Sequence, residues 1–555
     1  MTRSVGLLIA ESLAAQGVDL MFCVPGESFL GLTDALVDVP QLRLIVCRHE
    51  GGASFMAVAD GRMRAGKAGV CLVSRGPGVS NAMIGLQAAF HDAVPMVLLI
   101  GQVERREIGR GALQEHDYGK FLADVTKAVI PVTMASQASE AIARAFHIAE
   151  AGTPGPVAIV LPEDLLDDAA DGVPMALPRP RATPGPSALQ LDELTERLAR
   201  AERPLMLVGG AMDGTSATLE NLRLFAEAWS LPVSPTHRRP HLFDSHHPHY
   251  SGYIGNRIQA PLLAAMKEAD LMIALGERMT DVVSQSYSFP AAPDPQLPFV
   301  HVWPDPAELN RVFRADMPIC ADPALVVEAL LRRTPPAVPE GRAAWIARLH
   351  GIHRGLMKPV WEPAPDGVNF SALCIAVAER MAADGVLTTD AGNFTSFVHR
   401  HIPFRPGQLF LGSPVGGMGA GMPMAVAASI RHPGRQVVAV VGDGGALMTG
   451  NEIATAMRHG SAPVLLVLDN RTYGSIGMHH ENRYPGRPFA EAADLVNPDF
   501  AAWGRAFGAE GFTIRTEAEI APVLDAVMGP RKVPAVVHVH GSAMQVTAFR
   551  RRKAV

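Results

Sequence analysis

Aromatic residues make up only 6% of the 555-residue chain. So few rings argue against the stacking platforms that bind single-stranded nucleic acid. A basic surplus is absent as well: 49 Lys and Arg against 55 Asp and Glu leave a net charge of −6. That argues against a general nucleic-acid binder, because displacing counterions from phosphates takes a basic surface. Cysteine is scarce. Cys23, Cys47, Cys71, Cys320 and Cys374 include no C-x-x-C pair, so neither a disulfide framework nor a zinc site is expected, and a reducing compartment is. No run of 18 apolar residues occurs, which leaves no candidate for a spanning helix. Glu11, Gln16 and Asp19 interrupt the N-terminal apolar stretch too early for a signal peptide. The expectation is a cytoplasmic multidomain enzyme.

What the chain has is apolar residue, 48% of it, in short continuous runs: Gly69–Ser74, Pro95–Ile100, Pro156–Leu161, Pro204–Gly209, Leu271–Gly276, Gln436–Gly442 and Pro463–Leu468. Runs that do not alternate and are bounded by Gly, Pro or polar turns read as parallel strands covered on both faces. Helical patterns lie between them, so the expected fold class is α/β, with three doubly wound parallel-sheet domains. Pro-rich stretches at Pro174–Pro186, from Pro335, and at Pro359–Pro365 read as linkers. They set the expected domains at 1–175, 187–335 and 365–540. The basic end Arg550–Lys553 reads as a solvated tail. Domains one and three also look alike. Gly76–Ile100 and Gly442–Leu468 each run from a Gly turn through an Asn-bearing helix to Pro and a strand, with Gly-to-Pro spacings of 19 and 21 residues. That predicts a structural duplication.

The most informative segment is Val438–Ser475. A strand ends in Gly442-Asp443-Gly444-Gly445, and a second runs into Asp469-Asn470-Arg471-Thr472-Tyr473-Gly474. Asp443 falls past a strand's C-terminal end and before a helix, which is where open α/β sheets bind ligands. The glycines let backbone approach a phosphate, and the helix N-terminus favours its charge. Asp443 and Asn470, 27 residues apart, are too few for a protein cage around a metal. They suit Mg²⁺, which completes its octahedron with water and ligand phosphates. No G-x-G-x-x-G with a following acidic residue and no GK[ST] supports a Rossmann or P-loop alternative here.

This constellation resembles the GDG…Asn-Asn motif of thiamine-diphosphate enzymes, with Asp469 where the first Asn is usual. The resemblance implies Asp443, the Asn470 side chain and the Thr472 carbonyl as metal ligands. It implies Gly442, Gly444, Gly445, Tyr473, Gly474 and Ser475 around the diphosphate. It makes the three domains pyrimidine-binding, central and diphosphate-binding. Thiamine chemistry requires a carboxyl group at the aminopyrimidine, ideally in an apolar setting that keeps it protonated. Arg48-His49-Glu50-Gly51-Gly52-Ala53, ahead of a helix expected at Ala53–Met63, resembles the catalytic segment, with Glu50 in that role. Ser413–Pro423 resembles the wedge segment of the acetolactate synthase-like branch, which implies Met418 beneath the cofactor and the Gly416 carbonyl at the pyrimidine edge.

Further matches are Pro25-Gly26, Pro77 and Asn81 near the ring, Gly392-Asn393-Phe394 near the diphosphate, Gln114 as an active-site residue and Lys127 in the substrate pocket. His479 falls where acetolactate synthases carry a selectivity Trp, and a smaller titratable side chain there implies a more polar acceptor. The implied activity is that of a thiamine-diphosphate-dependent carboligase or decarboxylase acting on a 2-oxo acid, with acetolactate synthase-like carboligation through an enamine. A loop offering Gln114 and Glu115 with only His116, rather than a His-His pair, favours ligation. A lyase or decarboxylase of another 2-oxo acid or of an acyl-CoA, and a non-catalytic cofactor-binding protein, stay open. The implied cofactors are thiamine diphosphate and Mg²⁺. FAD is disfavoured but left open, since only Gly276, Arg278 and Asp281 resemble the flavin segment. The histidine-rich stretch Thr236–Tyr250 reads as a surface loop. With Glu50 and Asp443 in different domains, the resemblance implies a site shared between two copies, in a homodimer or a dimer of dimers.

Overall fold

The computed structural model describes residues 3–174, 182–358, 364, 366–412, 415–487 and 492–551. Most of the expected linkers Pro174–Pro186 and Pro359–Pro365, and the end of the basic tail, lie outside them. Three parallel sheets account for the architecture. The first holds β1 (Leu20–Cys23), β2 (Arg43–Val46), β3 (Gly69–Val73), β4 (Met96–Gln102), β5 (Ala128–Pro131) and β6 (Pro156–Pro162), in the order β2-β1-β3-β4-β6-β5. The second holds β7 (Pro204–Val208), β8 (Val233–Pro235), β9 (Leu271–Leu275), β10 (Phe299–Trp303) and β11 (Met317–Cys320), in the order β11-β10-β9-β7-β8. The third holds β12 (Val386–Thr389), β13 (Leu409–Gly412), β14 (Val437–Gly442), β15 (Val464–Asp469), β16 (Glu510–Ile514) and β17 (Ala535–His540), in the order β13-β12-β14-β15-β17-β16.

Counted within its own sheet, the first and third orders are the same. The duplication expected from the two Gly-turn segments is therefore topological as well. The central strands β3, β4, β6, β7 and β9 are buried throughout, as expected for runs covered on both faces.

The chain divides into two compact units. One comprises Met1–Arg181, Val386–Asn393 and Leu411–Ala543; the other comprises Ala182–Gly385, Phe394–Phe410 and Met544–Val555. In the first unit, the helix Glu50–Met63 packs on the helix Gly421–Arg431. Arg431 Nε donates to the buried Asp60 at 2.7 Å, and Arg431 also pairs with Asp19. Glu452, fully buried, accepts the backbone N–H groups of Arg48 at 3.1 Å and His49 at 3.0 Å.

In the second unit, Arg342 has no exposed surface. Its Nε donates to the Ala201 carbonyl at 3.0 Å, and its other nitrogens reach the Leu198 and Trp229 carbonyls. These acceptors close the helices Ala188–Arg200 and Ser216–Ala228, whose last carbonyls have no partner within the helix. Arg342→Met is expected to destabilise this unit by about 3 kcal/mol or more, at roughly 1–3 kcal/mol for each buried acceptor left unsatisfied. Urea unfolding measures it.

The Thr236–Tyr250 stretch is not a surface loop. Thr236, Arg238, Arg239, His241, Leu242, Phe243 and Tyr250 are all buried. Its polar groups are tied down internally: Arg239 and His241 both bind Asp213, at 3.2 and 3.0 Å.

Candidate active site

At the C-terminal edge of the first sheet, the chain leaves β1 for β2 on one side and returns to β3 on the other. A crevice opens at such a switch point. Pro25-Gly26 follows β1 and lies on Ser74, which follows β3; a Cβ on Gly26 would come within 2.7 Å of the Ser74 Cβ. Glu50 follows β2. Its helix begins at Glu50 itself rather than at Ala53, because the His49 imidazole caps it by accepting the Gly51 N–H at 2.9 Å. Asn81, on the helix Pro77–His91, donates its amide to Glu50 Oε2 at 2.9 Å. Glu50 is half-buried rather than enclosed.

Gly76 adopts φ +49° and has no room for a side chain, because Gln114 lies across it with its carbonyl 2.9 Å from where a Cβ would sit. The loop bearing Gln114 is shaped by Glu115, whose carboxylate accepts N–H groups from Gly109, Gly111 and Ala112. These bonds, that of Gly109 foremost, hold its carboxyl below the ordinary range. Pro25, Gly26, Glu50, Pro77, Asn81 and Gln114 thus gather at one edge of the sheet.

Lys127 does not join them, which corrects the sequence expectation. It precedes β5 and so stands at the opposite, N-terminal edge of the sheet. Its ammonium donates to the Ile148 and Ala151 carbonyls at 2.5 and 2.6 Å, closing the helix Ala138–Glu150.

The third sheet repeats the switch point between β12 and β14. Asp443 begins the helix Asp443–Thr449. Its Oδ1 accepts the Gly444 N–H, and its Oδ2 accepts the Arg471 N–H and the Asn497 amide, all at 2.9 Å. Asp390, which follows β12, accepts the Gly421 N–H at 2.6 Å and lies where a Cβ on Gly445 would fall, 2.0 Å from its Oδ2. The side chains of Tyr473 and Met418 sit over Gly444, 2.5 and 3.2 Å from a hypothetical Cβ. The wedge candidate therefore lies beside the Gly-Asp-Gly turn. Asn470 lies beside Gly474, its Nδ2 3.6 Å from where a Cβ would be. The Thr472 carbonyl accepts the Gly474 N–H at 2.8 Å. Ser475 lies in the helix Gly474–Arg483. Gly392 and Asn393 follow β12, and Phe394 caps the helix Thr395–His401 in the other unit. Gly416 is exposed.

Burial pushes the Asp443 carboxyl well above the ordinary range, and the neighbouring Asp469 adds to it. Burial also acts on Asp469, but hydrogen bonds from His538 and Asn497 outweigh it and hold that carboxyl low. Among the described residues no lysine, arginine or histidine pairs with Asp443. Asp443 is a buried carboxylate without a cationic partner among the described residues, and it accepts the N–H of Arg471, which stands between Asn470 and Thr472, so an amide side chain and a backbone carbonyl are at hand for the all-oxygen set that Mg²⁺ takes. The residues present fit that ion.

The sequence placed His479 in the substrate pocket but did not point to Met478, Asn497 or His538. His479 is exposed on the helix Gly474–Arg483, whereas the preceding Met478 is buried and its sulfur lies 3.7 Å from the Asn393 amide. Asp390 was visible as the acid of Thr388-Thr389-Asp390 at a strand end. Asn497 and His538 carried no signal, being remote in sequence from the motif they serve.

In the second sheet the corresponding edge is closed by the chain itself. Glu277, after β9, is buried; it accepts the Thr236 hydroxyl and the Met279 N–H, and its Cα would lie 2.5 Å from a Cβ on Gly209, after β7. The Arg239 guanidinium lies over Gly210, 3.2 Å from a Cβ there. These side chains line the place a dinucleotide phosphate takes at such a switch point.

Two like-ordered sheets, one bearing an Asn-held glutamate and the other an aspartate over a glycine bed, are the signature of a two-part diphosphate-cofactor enzyme. The chain belongs to the thiamine pyrophosphate enzyme family. It matches three family profiles, the N-terminal TPP binding domain over residues 3–121, the central domain over 191–330 and the C-terminal TPP binding domain over 390–539. Among its relatives, the acetolactate synthase large subunit of Parasynechococcus marenigrum is 32% identical over 97% of this chain and 88% of its own length. The probable acetolactate synthase large subunit of Methanocaldococcus jannaschii is 31% identical over 92% and 88%. The acetolactate synthase isozyme 2 large subunit of Escherichia coli is 30% identical over 96% and 94%. The protein is thus an acetolactate synthase-like, thiamine-diphosphate-dependent enzyme. Among the described residues no helix is long and apolar enough to cross a membrane.

Proposed function

We propose that the protein is a cytoplasmic carboligase that joins a 2-oxo acid, after loss of its CO₂, to a second carbonyl compound, using thiamine diphosphate and Mg²⁺. The observation that carries this is the repeated switch point: one edge presents Glu50, the other Asp443. When bound, the cofactor supplies a carbon nucleophile for the 2-oxo acid's carbonyl. Glu50 holds the proton at the pyrimidine side, and the Asn81 amide fixes its Oε2 so that the other oxygen is aimed. Asp443, the Asn470 side chain and the Thr472 carbonyl hold the cation, while Met418 and Tyr473 floor the turn. Gln114 closes over the pyrimidine edge and excludes water from it.

The first reading over a decarboxylase is favoured by the loop at Gln114. Glu115 there is spent on three backbone N–H groups, and His116 stacks on Phe121 with ring centroids 5.2 Å apart, so neither is poised to protonate a product carbanion. An acyl-CoA substrate is disfavoured because Arg311, Arg314 and Arg333 are each paired with an acid, Glu308, Asp294 and Asp192.

The working unit is a homodimer or a dimer of dimers. Within one chain, Glu452 of the third domain reaches the Glu50 segment, accepting the Arg48 and His49 N–H groups. Ile84, Leu447, Met448 and Ile476 are exposed on helices at the two edges, apolar surface for a second copy to cover. The test is a panel of 2-oxo acids with purified protein, thiamine diphosphate and Mg²⁺, following CO₂ and coupled products. Release of CO₂ with aldehyde as sole product would return the reading to decarboxylase. Glu277 and Arg239 at the edge of the second sheet give a further expectation: the protein purifies colourless, with no flavin absorbance near 450 nm, and added FAD leaves its melting temperature unchanged.

A further inference from the structure

Asp469 stands where the family motif carries Asn, and the structure shows what surrounds it. Its Oδ2 accepts from His538 Nε2 at 2.8 Å, and its Oδ1 accepts from the Arg471 N–H at 3.0 Å and from Asn497 Nδ2 at 2.8 Å. The same Asn497 nitrogen donates to Asp443 Oδ2 at 2.9 Å. One amide thus bridges two carboxylates that would otherwise repel. Asp469 and His538 are both buried, on the neighbouring strands β15 and β17.

Asp469, His538 and His540 also offer ligand atoms within 4.8 Å of one another, which raises a histidine-bound metal as a rival. The hydrogen bonds oppose it. The Phe500 N–H donates to His538 Nδ1 at 3.3 Å, so Nδ1 is the acceptor and the imidazole proton sits on Nε2. Asp499, 3.6 Å from Nδ1, is already the acceptor for Ala501 and Ala502. His538 therefore gives Asp469 a proton rather than a lone pair, as an orienting partner does.

We propose that Asn497 and His538 are positioning residues that lock Asp469 beside Asp443, so that the cation meets a fixed pair of carboxylates rather than one. Asp469 is the source of the extra charge, Asn497 together with the Arg471 N–H, which donates to the same two oxygens, sets the separation of the two groups, and His538 keeps Asp469 from turning away. This rests on the cofactor-binding reading of the Gly-Asp-Gly turn, which it deepens.

The experiment titrates Mn²⁺, as a paramagnetic stand-in for Mg²⁺, into full-length protein with thiamine diphosphate and reads free Mn²⁺ by electron paramagnetic resonance. Asn497→Ala and His538→Ala are expected to weaken Mn²⁺ about 10–100-fold, the usual effect of removing an outer partner of a metal ligand. His538→Gln, whose amide reaches Asp469 as Nε2 does, is expected to recover most of that loss, which a merely space-filling role for His538 does not predict. If His538→Ala fails to fold, Asn497→Ala, at a half-exposed position, decides alone. Variants that bind Mn²⁺ as tightly as the unaltered protein overturn the positioning role and leave the cofactor reading standing. Loss of binding in His540→Ala but not in Asn497→Ala overturns it in favour of a histidine-ligated ion. No Mn²⁺ binding by the unaltered protein with thiamine diphosphate overturns the cation site itself.

Discussion

Glu50→Gln is expected to lower turnover about 10²–10⁴-fold, the usual contribution of a positioned proton-transfer group, while leaving the fold and cofactor affinity near their starting values. The substitution is nearly isosteric. The Gln carbonyl oxygen still accepts the Asn81 amide, which now meets Glu50 Oε2 at 2.9 Å. The His49 cap on Gly51 is untouched, so the helix Glu50–Met63 starts where it did. What changes is that an amide does not hand over a proton as a carboxyl does. The measurement is single-turnover CO₂ release from the best 2-oxo acid, with calorimetric binding of thiamine diphosphate and Mg²⁺ in parallel. Unchanged turnover would remove Glu50 from the chemistry. Loss of both turnover and binding would make its role one of holding the cofactor.

Why the sequence reveals Glu50 but mislocates Lys127 is a matter of range. The strands that could be read directly were the central ones. β3, β4, β6, β7, β9, β14 and β15 lie between neighbours and are apolar along their length, so a run such as Gly69–Ser74 has little else to be. The sheet edges β2, β5 and β16 are partly exposed, and of these only β2, within the apolar run Leu42–Cys47, could be read. The Gly-Asp-Gly turn and the Glu50 segment were legible for a related reason. Each sits on a strand end whose position follows from the strand itself, and each is made of residues within a few positions of one another.

Lys127 was placed by its spacing from Gln114, and spacing carries no information about which edge of a sheet a residue faces. A long loop separates the two, and the chain crosses from one edge to the other within it. Thr236–Tyr250 misled differently. Five histidines and two arginines in fifteen residues read as solvated surface, but Arg239, His241 and Asp213 neutralise one another inside the unit. Composition reports charge, whereas burial depends on whether the charge is paired. Asn497 and His538 mark the limit of sequence reading, since their importance lies in hydrogen bonds to residues 28 to 69 positions away.

Asp443→Ala is expected to weaken binding of thiamine diphosphate in the presence of Mg²⁺ by at least about 100-fold, because outer partners of a metal ligand alone are worth 10–100-fold. The structural reason is the imbalance at this residue. Asp443 is buried, its Oδ2 is shared with an amide that also serves Asp469, and its other partners are backbone N–H groups. Among the described residues nothing cationic offsets it, and burial, with the neighbouring Asp469, drives its carboxyl up. A divalent ion is the one partner that makes the charge favourable. Removing the carboxylate relieves that burial cost, so the apo protein should melt at the same temperature or higher, while the cofactor's stabilisation is lost. Melting curves with and without thiamine diphosphate and Mg²⁺ separate the two effects. In the unaltered protein the pair should raise the midpoint, since a ligand that binds only the folded state stabilises it by mass action, and chelation of the metal should abolish the rise. In Asp443→Ala there should be no rise to abolish. A variant that melts lower without ligand yet keeps the full shift would place the cation elsewhere and turn Asp443 into a cap for the helix it begins.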